Sequence, residues 1–286
     1  MIMGKPGFIK RSATLVVRRW TDSVAYRNLV SLRARISARV LRRQPFWYGQ
    51  YPHTFLERRP PEDLGGPSEL PRVIWSVWTG ANEMSAVRKA GLEQLRAMAA
   101  PVPVVLVTAE NLEQYLIEGH PLHAAYEDLS YTHRSDYLRA YLMYHYGGAY
   151  CDIKPMTTSW EQHFSRMEND SAWLLSTALP SPHETGNNRG RLGRHMRRYY
   201  RSLPTGGMLL ARSHTPLTAE WLREVERTLT YAAPALAEHP RKQSDPGYPF
   251  EWMDLIGDIL QPLALKYGDH VMIDPKPWWD VKADYR

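Results

Sequence analysis

The stretch Arg134-Ser-Asp-Tyr-Leu-Arg-Ala-Tyr-Leu-Met-Tyr-His-Tyr-Gly-Gly-Ala-Tyr-Cys-Asp-Ile-Lys154 concentrates carboxylates and cations at a spacing that suggests chemistry. Asp136 and Arg139 are three apart and so share one face of a helix. The pair Gly147-Gly148 would end that helix, and a strand just beyond would deliver Asp152. The unit thus brings two carboxylates and one guanidinium to one rim of a sheet. The same spacing also suits an intrahelical ion pair of little energetic worth, with Asp152 capping the next turn. Spacing alone leaves both readings standing. Other chemistries are missing. The sequence contains no Gly-rich phosphate loop ending in Lys-Ser/Thr, no G-x-G-x-x-G and no G-x-S-x-G. The eleven histidines are scattered, and the closest pair, His120 and His123, lacks a third ligand at zinc spacing.

The elements that must position these residues alternate after Pro71. Strands are predicted at 72–78, 102–108, 149–153, 172–178 and 208–211. Helices are predicted at 85–99, 112–118, 134–146, 217–229 and 252–260. Such alternation indicates an α/β domain with a mainly parallel sheet. Ligands of such sheets bind at the carboxyl ends of the strands, where Trp78 and Asp152 fall. Between Pro45 and Pro71 lie six prolines and three glycines, a density that neither helix nor strand survives. The aromatics Phe46, Trp47, Tyr48, Tyr51 and Phe55 make this segment read as a wrap around the body rather than a free linker. Residues 1–45 read as a basic amphipathic helical arm, with Val16, Trp20, Val24, Leu29, Leu32, Ile36 and Val40 on one face. The expected organisation is therefore an arm at 1–45, a linker or wrap at 46–70, and the α/β domain at 71–286.

Composition narrows the class. With 286 residues, 43% hydrophobic and 23% charged, the chain falls in the range of ordinary globular proteins. One cysteine, Cys151, permits no intrachain disulfide. Apolar runs such as 104–107 and 208–211 are strand-sized, so no membrane span is expected, and Leu15-Val16-Val17 is interrupted at once by Arg18-Arg19, so no secretory leader is expected. Charge is unevenly placed: residues 1–45 hold 11 basic residues and one acid, leaving 25 basic and 29 acidic for the rest. A basic arm on an acidic body suits an anionic surface. A helix packed on the body and an Arg-rich transit segment are the other readings of the arm. Nucleic acid is not an expected partner, because no stacking platform accompanies the charge.

The central stretch resembles the sugar-nucleotide-binding core of family 32 glycosyltransferases, whose pattern is S-D-x-x-R, a helix, then Y-G-G-x-Y-x-D-x-D. This chain matches at Ser135, Asp136, Arg139, Tyr146, Gly147, Gly148, Tyr150 and Asp152, and carries Lys154 at the final aspartate. Leu70-Pro-Arg-Val-Ile-Trp-Ser-Val-Trp-Thr-Gly80 is similar to the family's first strand. The stretches at 206–217 and 248–260 resemble later elements, in the right order.

The resemblance implies a Rossmann-like GT-A domain and a retaining transfer from a UDP- or GDP-sugar to a glycan or lipid-linked acceptor, in surface polysaccharide synthesis. It implies Asp136, Arg139 and Asp152 as the catalytic set. Trp78 would stack on the base beside Val77, with Ser135, Tyr150 and Lys154 completing the donor side. Arg197, Arg198, Asp258, Trp278 and Trp279 are candidates for a lid or the acceptor side, although solvated arginines and plain tryptophan packing are the readings that their types favour. A divalent cation, Mn or Mg, would sit on Asp152. With Lys154 beside it, the expectation is little dependence on that metal. The expected location is cytoplasmic, with the arm on the inner face of a membrane. Two rivals stay open: a relative that binds nucleotide sugar without transferring it, and a membrane- or nucleic-acid-binding protein acting through its arm.

Overall fold

Alternating side chains along each strand sort the core into two layers. In a computed structural model of the chain, residues 48–240 and 247–279 are described, together with positions 29 and 32. Strands β1 (Ile74–Trp78), β2 (Val104–Thr108), β3 (Gly148–Cys151), β4 (Leu174–Ala178), β5 (Pro204–Ala211) and β6 (Val271–Asp274) form one sheet in the order β2-β1-β3-β5-β4-β6. β1 pairs in parallel with β2 and β3, and β4 with β6. β5 alone runs antiparallel, between β3 and β4. This is an α/β fold with a mostly parallel sheet, as expected. Ile74, Ala149, Cys151, Met208 and Leu210 point to one face; Trp75, Val77, Tyr150 and Leu209 point to the other.

Among the described residues six α-helices cover those faces: α1 (Ala86–Ala99), α2 (Tyr131–His145), α3 (Trp160–Glu168), α4 (Gly190–Arg198), α5 (Pro216–Glu238) and α6 (Gly257–Lys266). α1 and α3 pack Leu95, Ala99, Trp160 and Phe164 on the first face. α2, α5 and α6 pack Tyr137, Tyr141, Trp221, Leu229 and Leu260 on the second. α2 is buried along most of its length, which is why it carries no apolar stripe in sequence. It starts three residues before the expected position because the Ser130 side chain caps it, accepting from the backbone N–H of His133.

Gly147 and Gly148 turn the chain from α2 into β3 with φ of 71° and 90°, a region open to glycine. A Cβ on Gly148 would lie 2.8 Å from the Val73 carbonyl oxygen. Three expectations need correction. The helix at 112–118 is a 3₁₀ turn, Leu112–Tyr115. The helix at 252–260 begins only at Gly257, because the Asp254 carboxylate accepts from the Glu251 backbone N–H and holds a turn there. α3 and β6 form where sequence gave no expectation, β6 by pairing with β4.

The proline-rich segment lies against the helices. Leu56 and Tyr51 are buried, Tyr51 Oη is 2.6 Å from His195 Nδ1, and Arg58 pairs with Glu224 at 2.6 Å. The arm lies outside the described residues except for Leu29 and Leu32, both helical and about half exposed. Among the described residues no helix is long and apolar enough to cross a membrane.

Candidate functional site

Parallel strands release their carboxyl ends on one side, and a cleft of about 810 Å³ opens there. Trp78 closes β1, Asp152 follows β3 and Leu179 follows β4. β5 runs the other way and contributes its beginning, Thr205-Gly206-Gly207. Val77, Trp78, Ser135, Asp136, Arg139, Tyr150, Asp152 and Lys154 all line this cleft.

Arg139 is the hub. Its Nη2 donates to Tyr150 Oη at 3.2 Å and to Asp152 Oδ1 at 3.1 Å, and lies 3.4 Å from Asp136 Oδ1. Its guanidinium sits 4.2 Å from the centre of the Tyr150 ring. The i,i+3 pair is therefore real but not a surface pair, since the Asp136 and Arg139 side chains are 5% and 6% exposed. Asp136 Oδ2 is buried without a hydrogen-bond partner among the described residues. Leaving such an acceptor unmet costs about 1–3 kcal/mol, which a donor hydroxyl from a ligand would recover.

The two carboxylates have opposite environments. Burial pushes Asp136 up to about 7, against the pull of Arg139 and with a further push from Asp152. Burial acts the same way on Asp152, but Lys154 and Arg139 outweigh it and hold that carboxyl below its ordinary value. Lys154 Nζ lies 3.1 Å from Asp152 Oδ2, so each Asp152 oxygen faces a cation. One group is thus poised to hold or release a proton near neutrality while its neighbour stays ionised.

Strand β5 makes room for this cluster by lacking side chains. A Cβ on Gly207 would lie 2.6 Å from Asp152 Oδ2 and 2.9 Å from Lys154 Nζ, and one on Gly206 would lie 2.9 Å from Arg139 Nη1. Aromatic rings edge the mouth: Trp78, whose Nε1 donates to the Asn82 carbonyl, with exposed Tyr131 and Trp252. Sequence reasoning missed Tyr131 and Trp252, because nothing in their spacing marks a cleft. The glycine pair 206–207 was the one local signal for the β5 wall.

The lid and acceptor candidates separate. Trp279 lines the cleft, with its ring centre 5.3 Å from Lys154 Nζ. Trp278 does not reach it: the ring is buried, stacks on His163 at 3.9 Å, and donates from Nε1 to Asp274 Oδ2. Arg197 and Arg198 are exposed on α4 and do not line the cleft, because that helix buries Leu192 and Met196 instead. Asp258 also stays outside; it accepts from Asn188 Nδ2 at 3.2 Å and ties the loop before α4 to α6.

A family model described as capsular polysaccharide synthesis protein matches residues 57–196, just under half of the chain. No protein with a curated description matches. Among solved structures, mouse xyloside xylosyltransferase 1 in its apo form is similar over 70% of this chain and 84% of that one, at 9% identity and a TM-score of 0.38.

Proposed function

We propose that this chain is a glycosyltransferase that moves a sugar from a nucleotide-sugar donor to a glycan or lipid-linked acceptor, with retention, in surface polysaccharide synthesis. The observation that carries the reading is the Asp136–Arg139–Asp152–Lys154 cluster on the floor of a strand-end cleft beside Trp78. Carboxylates accept from sugar hydroxyls, the Trp78 face suits a base, and two cations suit a diphosphate. The capsular polysaccharide match supports it, since it covers β1, α2, β3 and the whole cluster.

In the transfer, the acceptor oxygen bonds to C1 as the bond from C1 to the phosphate oxygen breaks. The electron pair leaves on the diphosphate, which takes up the acceptor's proton. Fixed cations at that oxygen lower the barrier because they need no reorganisation. A thermal-shift screen with UDP- and GDP-sugars, followed by a donor-hydrolysis assay, tests the reading. A shift with slow release of nucleoside diphosphate is expected, and product anomers read by NMR check retention. Tight binding without turnover in any acceptor mixture would favour a binding protein, and no response to any nucleotide sugar would remove the proposal.

A further inference from the structure

The D-x-D pattern that the central motif resembles uses two carboxylates to hold a divalent ion, and this chain offers no equivalent. No D-x-D triplet occurs anywhere in the 286 residues. Among the described residues no three of His, Cys, Asp and Glu converge as metal ligands. Asp152, the remaining aspartate of the motif, faces Arg139 from Oδ1 and Lys154 from Oδ2, both at 3.1 Å. An ion approaching Asp152 Oδ2 would meet an ammonium already there. The residues present do not fit a divalent cation.

They do fit a fixed organic one. Lys154 is placed by the Asp152 carboxylate and the Trp279 ring, in space that Gly207 leaves open by lacking a side chain. Its side chain is 12% exposed and lines the cleft, so the charge is positioned yet reachable. An ammonium is a compact point charge that suits a phosphate oxygen.

We infer that Lys154 stands in for the metal: its ammonium, set by Asp152, Gly207 and Trp279, is the cation that meets the donor diphosphate. The inference rests on the transferase reading and names the residue that would serve in it. Replacing Asp by Lys at this position changes the local charge by about two units, which explains how one side chain could take over the work of an ion.

Calorimetric titration of the full chain with UDP and with GDP, in chelator and in Mn²⁺, tests it without any variant. Dissociation constants that agree within about twofold across the two conditions are expected. Lys154→Ala should weaken binding about tenfold or more in chelator, the scale of a charge-assisted hydrogen bond. Lys154→Arg should retain most of it, and Lys154→Asp, with an unchanged melting curve, should bind only when Mn²⁺ is present. Wild-type binding that appears only with Mn²⁺ would overturn the inference and leave the transferase reading intact. So would unchanged binding by Lys154→Ala. A wild type that binds neither nucleotide in either condition would remove the transferase reading itself, and this inference with it.

Discussion

Two aspartates that look alike in sequence are chemically different residues here, and the difference is testable. Asp152 is an anion between two cations. Asp152→Asn removes that charge at nearly constant size, and donor turnover should fall about tenfold or more, the scale of one charge-assisted hydrogen bond. Unchanged kinetics with an intact melting curve would leave Asp152 a structural anchor only. Asp136 holds its proton in the folded state to about pH 7, whereas its ordinary value is 3.8. The folded chain therefore binds more protons between those values, and this residue removes stability as pH rises through the window. Relative to wild type, Asp136→Asn should become progressively more stable from about pH 4 to about pH 7 and then level off. Asp258, raised to about 7 by burial and by the charge of Asp254, acts in the same sense. His145 and His163, held down to about 4 chiefly by burial, act oppositely. All three are shared by wild type and variant, so they cancel in the difference between two melting-temperature profiles. A flat difference would mean that Asp136 is ionised throughout. At this scale the residue types and the helix-then-strand order were readable in the chain. The burial of the pair and the unmet Asp136 oxygen were not, since both depend on what β5 and the cleft place around α2.

The elements make the site by what they omit as much as by what they carry. Two glycines show the contrast. Gly148 has positive φ, and an added Cβ would press on the Val73 backbone carbonyl, which cannot move without β1. Gly148→Ala should therefore cost clearly more than about 1 kcal/mol of stability, the ordinary effect of one substitution. At Gly207 the nearest atoms that an added Cβ would meet are the Asp152 carboxylate and the Lys154 ammonium, side chains rather than backbone. Gly207→Ala should thus melt close to wild type while binding nucleoside diphosphate about tenfold more weakly, because it dislodges one charge-assisted pair. Full retention of binding would show that the cluster does not need that space. Elements with strong local signals were legible, such as α1 after its Ser85 cap and α2 before its glycines. β6 was not, because four partly buried residues become a strand only through their pairing with β4. The reversed direction of β5 was equally hidden, since periodicity fixes a strand but not its sense.

For the whole molecule, counting charges along the chain divides arm from body, but does not show how the segment after the arm is held. That segment is held by Tyr51, whose hydroxyl contacts His195 on α4, a contact 144 residues apart in sequence. The segment that follows the arm thus packs beside a helix that exposes Arg191, Arg194, Arg197 and Arg198. Arg191, Arg194 and Arg197 do not line the cleft, so they do not face the donor. With +10 on residues 1–45 and an acid-free stretch around α4, an anionic membrane face is a surface that both segments would suit by charge. Each well-placed arginine contributes about 1 kcal/mol at such a surface, and the attraction falls off within a Debye length. The full chain should therefore sediment with vesicles containing anionic phospholipid at low salt, and release as salt rises. The chain lacking residues 1–45 should lose most of that binding while keeping donor hydrolysis, and Arg194→Glu with Arg197→Glu should remove much of the remainder. Equal partitioning of full and truncated chains onto anionic vesicles would show that the arm is no membrane anchor. Loss of donor hydrolysis on truncation, with the body still folded, would instead tie the arm to the cleft.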